Sequence, residues 1–162
     1  MSFTFPIRVY WEDTDAGGIV FYANYLKFME RARTEWLRSL GISQQVLKEQ
    51  TDCMFVVTDT QLKYLHPARL DDLLQVSTEI IEQGRASLTL KQEILGEITV
   101  SPSKNMPDLL SNKEQMNLLP KPASHAHGMT QAICQGTICI AWVDAATLKP
   151  GRIPSSVLEA LA

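Results

Sequence analysis

Glu12-Asp13-Thr14-Asp15-Ala16-Gly17-Gly18 sets carboxylates and paired glycines just ahead of the aromatic run Phe21-Tyr22-Ala23-Asn24-Tyr25. Glycines at 17 and 18 admit backbone angles closed to other residues and let a ligand approach the main chain. A helix beginning after them aims unsatisfied N–H groups back at the acidic turn. Those groups, at the positive end of the helix dipole, suit an oxyanion formed when a carbonyl is attacked. Asp15 would then stand beside an electrophilic carbonyl, where a carboxylate either attacks directly or draws a proton from water. The same aspartate could instead satisfy the N–H groups of the glycine loop or cap the helix, which is common work for Asp. Asp13 and Asp15 alone are an incomplete metal set, and no compact histidine cluster accompanies them, so no metal is expected.

The elements that must hold this turn are legible in the hydrophobic pattern. Phe3 to Tyr10 reads as a first strand, interrupted by the polar loop Glu12 to Gly18. Between Tyr22 and Leu40 the apolar positions Tyr22, Tyr25, Leu26, Met29, Ala32, Trp36, Leu37 and Leu40 recur at steps of three and four, predicting a long helix with one buried stripe. Arg31 and Glu35 are spaced to pair across a turn of it. Gly41 supplies the stop and Ser43 caps a second short helix to about Glu49. The period then changes to two. Val56 to Tyr64 reads as a strand ended by Pro67, and Leu74 to Ile80 with Leu88 to Ile94 as a hairpin about Gly84. Ile138 to Val143 is apolar on both alternating faces, which predicts a strand covered by the helix on one side and by a second subunit on the other. One strand, a long helix and then several strands exclude a doubly wound pattern and allow an α+β fold with a helix on an antiparallel sheet.

These motifs carry a resemblance. Val9 to Val20, Tyr25-Leu26-Lys27-Phe28-Met29-Glu30-Arg31-Ala32-Arg33-Thr34-Glu35 and Pro67-Ala68-Arg69-Leu70-Asp71-Asp72 resemble the 4-hydroxybenzoyl-CoA thioesterase family, and within it the Tol-Pal-associated, YbgC-like acyl-CoA thioesterase branch. The resemblance covers most of the chain apart from roughly 97 to 130. It implies the hotdog fold, in which a curved antiparallel sheet wraps a long helix, and it places the catalytic carboxylate at Asp15. It also implies a homodimer or homotetramer with the active site at the subunit interface. Many members of the acyl-CoA branch carry histidine where this chain has Tyr22, and tyrosine where it has Trp11. The hydroxybenzoyl branch has an aromatic at the former position and polarises the thioester carbonyl with its backbone N–H, a role that falls here on the main chain of Tyr22. Gly18 and Val20 in the loop, with Arg69 and Arg85 as charges for a pantetheine phosphate, are the substrate-binding candidates. The expected reaction is hydrolysis of a small aliphatic or aromatic acyl-CoA, or of an acyl-carrier-protein thioester, with no cofactor.

Composition bounds the alternatives. The 162 residues suit one domain, 1–162, and 45% hydrophobic content is ordinary for a soluble enzyme. A net charge of −3 gives no global attraction to nucleic acid. No run approaches the roughly 20 apolar residues of a membrane span, and a cytoplasmic location is expected. Cys53, Cys134 and Cys139 are odd in number and show no CxxC spacing, so reduced thiols are expected. The stretch from about 97 to 130, with prolines at 102, 107, 120 and 122, reads as an insertion, either a surface excursion or a lid or subunit contact. His125 and His127 within it read as solvated, His66 before Pro67 as a turn residue, and Tyr10, Trp11, Tyr22 and Tyr25 as core or interface aromatics. Two rivals remain at this stage. A dehydratase would need a histidine paired with a carboxylate at the helix, and a non-catalytic acyl-thioester-binding scaffold for envelope or phospholipid proteins would need no aimed carboxylate.

Overall fold

A computed structural model describes residues 3–97 and 130–161; the insertion expected at about 97–130, with His125 and His127, lies almost wholly outside them. The order of elements is β1 (Phe3–Arg8), α1 (Asn24–Ser39), α2 (Gln44–Thr51), β2 (Cys53–Tyr64), β3 (Leu73–Gln83), β4 (Ser87–Glu97), β5 (Thr130–Asp144) and α3 (Ser155–Leu161). The five strands form one sheet in the order β1-β3-β4-β5-β2, antiparallel at every pairing. Strand alternation gives the sheet its two faces: Leu88, Leu90, Ile94, Ile138 and Ile140 turn inward, while Thr89, Lys91, Gln135 and Thr137 turn outward. Helix α1 lies against the inner face through Phe28, Met29, Ala32, Trp36 and Leu37. This is the hotdog arrangement that the motif order implied.

The buried stripe of α1 differs from the one its periodicity predicted. Leu26 and Leu40 are exposed in the chain, and Tyr22 precedes the helix and is exposed as well, whereas Phe28 and Arg33 are buried. Arg33 belongs inside because it has partners there. Its guanidinium donates to Gln92 Oε1 and Glu30 Oε2, each at 2.8 Å, and Gln92 Nε2 donates in turn to Thr78 Oγ1 (2.8 Å) and the Met29 carbonyl (3.1 Å). Burial lowers the Arg33 pKa, against the pull of Glu30. The pairs along the helix are Arg33–Glu30 and Arg38–Glu35, not Arg31–Glu35.

Local signals explain the ends. Gly41 takes φ 77° after α1, and the Ser43 hydroxyl caps α2 by accepting from the Val46 N–H. Gly136, on β5 opposite Leu62, lets Met29 of the helix approach the sheet; a Cβ there would stand 2.6 Å from Leu62 Cδ2 and 3.2 Å from Met29 Cε. Along Ile138–Val143 the second face of β5 carries Cys139, Ala141 and Val143, apolar as expected; the return segment pairs with Val143 at Pro150 and leads into α3, a helix the pattern did not signal.

Candidate active site

The acidic turn is built by main-chain bonds before any side chain contributes. After a single 3₁₀ turn over Trp11–Asp13, the loop folds back as Thr14 bridges Val20 and Ile19 bridges Arg69. The Asp15 N–H donates to the Ile19 carbonyl (2.9 Å) and the Gly18 N–H to the Asp15 carbonyl (3.0 Å), with Gly18 at φ 71°. Only a residue tolerant of that left-handed conformation closes the loop without strain. Gly17 serves differently: a Cβ there would sit 3.0 Å from Asp15 Oδ1, so its absence makes room for the carboxylate.

The two aspartates of the turn do different work. Asp13 is buried at 1% exposure; its Oδ2 accepts from the Tyr10 N–H (2.9 Å) and its Oδ1 from Asn24 Nδ2 (3.2 Å), while its carbonyl accepts from the Phe21 N–H (2.8 Å). It therefore ties the loop to the first residue of α1. Asp15 is exposed, with Oδ1 accepting from the Gly17 N–H at 2.7 Å. That bond is the loop-satisfying role weighed for it, and it leaves the other oxygen without a protein donor among the described residues.

The segment Pro67 to Asp72 clamps the other side of the turn. Val20 donates to the Ala68 carbonyl (2.9 Å), the buried Ala68 N–H donates to the Tyr25 hydroxyl (3.0 Å), and the Arg69 N–H donates to Asp72 Oδ2 (2.7 Å). Val9 exchanges main-chain bonds with Asp71 and Asp72, so the segment is pinned to the end of β1 too. Between this segment and the start of α1 lies a cleft of about 230 Å³. Its walls are Ile19, Val20, Leu65 and Pro67 with the faces of Tyr22, Tyr25 and Tyr64, and His66 stands in its rim. Tyr64 donates its hydroxyl to the Tyr22 carbonyl at 3.2 Å, and its ring lies 6.4 Å from Tyr22 and 5.7 Å from Tyr25. Burial pushes the hydroxyls of Tyr25 and Tyr64 above the ordinary phenol range, so both stay protonated and neither is a base near neutral pH. Buried Cys134, paired with Tyr64 across the strands, is likewise pushed up to about 11.

The turn thus joins Asp15, Gly18 and Val20 to the backbone of Arg69, and Val20 and Tyr22 share the lining of the cleft. The Tyr22 N–H precedes the first helical turn and has no acceptor among the described residues. Arg69 is exposed beside the glycine loop. Arg85 is elsewhere, in the β3–β4 turn, where its carbonyl accepts from the Ile153 N–H (3.0 Å); the 11 residues of β3 separate it from Asp72 by roughly 35 Å of strand. The sequence reading missed Asp13 and Asn24 as the loop's anchor and His66 as a wall of the cleft. Asp13 and Asp15 look alike in sequence, and the partner that separates them, Asn24, stands 11 residues beyond Asp13 at the start of α1. Tyr10, Trp11, Phe21 and Tyr22 all stay exposed around the turn.

Residues 17–100 match the Thioesterase superfamily. Over 94 residues the chain is 50% identical to the acyl-CoA thioesterase YbgC of Haemophilus influenzae, an overlap covering 58% of this chain and 69% of that protein. The acyl-CoA thioesterase YbgC of Helicobacter pylori is 41% identical over 87 residues, 54% of this chain and 62% of that protein. Among solved structures, a probable thioesterase from Bartonella henselae superposes with TM-score 0.70 at 26% identity, covering 95% of this chain and 100% of that one. A 4-hydroxybenzoyl CoA thioesterase variant complexed with 4-hydroxybenzoyl CoA superposes with TM-score 0.77 at 16% identity over 99% of both chains, a likeness of fold alone.

Proposed function

Because the chain belongs to the thioesterase superfamily, we propose that it is an acyl-CoA thioesterase whose hydrolysis centres on Asp15. The observation that supports the reading is an exposed carboxylate at Asp15, held by the Gly17 N–H in a turn that Thr14 and Val20 close, with the unclaimed N–H of Tyr22 two residues beyond that closure. In this mechanism the thioester carbonyl oxygen accepts from the Tyr22 N–H, and the acyl group enters the cleft beside Tyr25 and Tyr64. Asp15 either attacks the carbonyl carbon, giving a mixed anhydride that water cleaves, or removes a proton from water as the water attacks. Both routes pass through a tetrahedral oxyanion facing the amide donor and expel coenzyme A as the thiolate, which takes up a proton from solvent. Gly18 and Val20 line the approach of the acyl group, and Arg69 supplies positive charge for a pantetheine phosphate. Arg85 could take such a part only from another subunit.

The active unit in this reading is a homodimer or a larger homo-oligomer. Exposed Tyr10, Trp11, Phe21 and Tyr22 ring the turn, a composition suited to an interface, and among the described residues β2 is a 12-residue edge strand with one partner. Substrates on coenzyme A and on an acyl carrier share the pantetheine arm, and the cytoplasm is the proposed compartment for either. Among the described residues no helix is long and apolar enough to cross a membrane.

The test is thiol release by the wild type and Asp15→Asn across short-chain, long-chain and aromatic acyl-CoAs. Asparagine keeps an oxygen to accept from Gly17, so the fold should persist while turnover falls on the order of a hundredfold or more. Near-normal hydrolysis by the variant would remove Asp15 from the mechanism. A folded wild type that releases no thiol from any thioester would favour a non-catalytic acyl-thioester-binding scaffold.

A further inference from the structure

The stretch from Val20 to Tyr25 joins the acidic turn to α1 and carries the Tyr22 N–H in its middle. Ala68 clasps both ends of it. The Val20 N–H donates to the Ala68 carbonyl at 2.9 Å and the Ala68 N–H donates to the Tyr25 hydroxyl at 3.0 Å, so the stretch and Ala68 form a closed ring. Val20, Tyr25 and Ala68 are all buried. Every link of the ring is main chain except one, the phenol of Tyr25. Among the described residues no other side-chain hydrogen bond joins α1 to the Pro67–Asp72 segment. That segment is fixed independently, since Ile19 bridges Arg69 and Val9 exchanges main-chain bonds with Asp71 and Asp72. The Tyr25 ring is held in turn, edge-on to Phe28 at 6.0 Å and tilted against Tyr64 at 5.7 Å, so its oxygen has little freedom.

Resting on the thioesterase reading above, we propose that Tyr25 is a positioning residue: by holding the Ala68 peptide, its hydroxyl fixes where the Tyr22 N–H points when the thioester carbonyl binds. Tyr25 itself meets none of the reacting atoms in this role. A donor aimed in advance at a developing oxyanion stabilises it without reorganising at the moment of reaction, and the aim depends on the groups that hold the donor's backbone. Phenylalanine at position 25 would keep the ring packing but strand the Ala68 N–H in an apolar interior. That N–H recovers a partner only if the Ala68 peptide moves off the helix start, and Val20 moves with it because it is bonded to the Ala68 carbonyl. The Tyr22 amide then turns relative to the turn that carries Asp15, while the cleft keeps its apolar walls. The loss falls on the transition state more than on substrate binding.

The experiment measures kcat and KM per folded molecule for the wild type and Tyr25→Phe on butyryl-, palmitoyl- and benzoyl-CoA, together with amide hydrogen exchange. In the variant kcat should fall roughly tenfold on every acyl-CoA that the wild type hydrolyses, short of the roughly hundredfold or greater loss that follows outright removal of an oxyanion donor, with KM within about twofold. Exchange should quicken at Ala68 and Val20 and stay slow at Phe28, Met29 and Ala32 in the body of α1. An amino group in place of the hydroxyl, introduced as 4-aminophenylalanine at position 25, keeps a polar group of that size that accepts weakly, and should reproduce the fall if the phenylalanine variant does not fold. Unchanged kcat with a lowered Tm makes Tyr25 structural only and overturns the proposal. A rise in KM at constant kcat, or a loss confined to one acyl group, overturns it as well by making Tyr25 a substrate contact. These results leave the thioesterase reading standing, whereas no turnover of any thioester by the folded wild type removes that reading and the inference together.

Discussion

Replacing Asp13 with asparagine exchanges one oxygen of a buried carboxylate for an amide nitrogen and removes the charge that holds two donors. One oxygen accepts from the Tyr10 main chain at 2.9 Å and the other from Asn24 at 3.2 Å, so the new NH₂ meets an acceptor only on the Asn24 side, where the Asn24 amide must flip to present Oδ1 and give up its 3.4 Å contact to the Glu12 carbonyl. A hydrogen bond to a charged group is worth about 1.5–3 kcal/mol and a stranded buried donor costs about 1–3 kcal/mol. Relief from burying a charge and the Asn24 flip offset part of this, and a net loss of about 2 kcal/mol is expected. For a chain of this size each kcal/mol moves Tm by about 2–4 °C, so Asp13→Asn should melt about 4–8 °C lower. Asn24→Ala removes the contacts to Asp13 Oδ1 and to the Glu12 carbonyl and should cost about 1–2 kcal/mol, and the double variant should show coupling between the two sites. Thermal and urea unfolding give the stabilities, and thiol release per folded molecule gives the function. A Tm within about 2 °C of wild type would refute the anchoring argument. The inverse pattern, stability kept and turnover abolished, would move Asp13 from scaffold to chemistry.

Other expectations follow from the same geometry. Gly17→Ala puts a methyl 3.0 Å from Asp15 Oδ1 in an exposed loop, so Tm should stay within a few degrees while kcat/KM falls about tenfold through displacement of the carboxylate; unchanged turnover would contradict this. Gly136→Ala forces Leu62 and Met29 apart at the helix–sheet contact and should cost about 1–3 kcal/mol in urea unfolding. Because burial lifts the Cys134 thiol to about 11 from an ordinary 9.0, native protein at pH 8 should resist alkylation there while urea-unfolded protein labels readily. The same shift makes the unfolded chain lose its proton first, so the contribution of Cys134 to stability should decline as pH rises from about 9 to 11.

Periodicity and punctuation made most of the frame legible. Steps of three and four found α1, the alternation of Val56 to Tyr64 found β2, Gly84 found the β3–β4 turn, and Gly41 and Ser43 marked helix ends where the structure has them. What was hidden depended on partners distant in sequence. Arg33 was absent from the buried stripe read from periodicity because Gln92 and Thr78, which make its burial tolerable, arrive from β4 and β3. Leu26 and Leu40 looked like core because a stripe count does not know which side of the helix the sheet will cover. His66 read as a turn residue because its place in the cleft is set by Ile133, on a strand that begins much later in the chain. At the candidate site, the acidic and glycine residues were evident, but the division of labour between Asp13 and Asp15 came from a single asparagine at the helix start.

The polar trio of Arg33, Gln92 and Thr78 sits in the middle of a contact that is otherwise hydrocarbon on hydrocarbon. A greasy interface has many nearly equivalent registers, since leucine against isoleucine is satisfied after a small slide or roll. Here a displacement of the helix by one residue would strand a guanidinium, an amide and a hydroxyl in the dry interior, with several hydrogen bonds lost at once. The trio therefore acts as a detent: it adds little to the depth of the folded basin but removes the shallow neighbouring basins. The element whose travel it stops is the one that the Tyr22 amide immediately precedes. A helix free to slip would blur the position of that donor by ångströms, so the placement of the candidate oxyanion donor is governed in part from a core position three turns away.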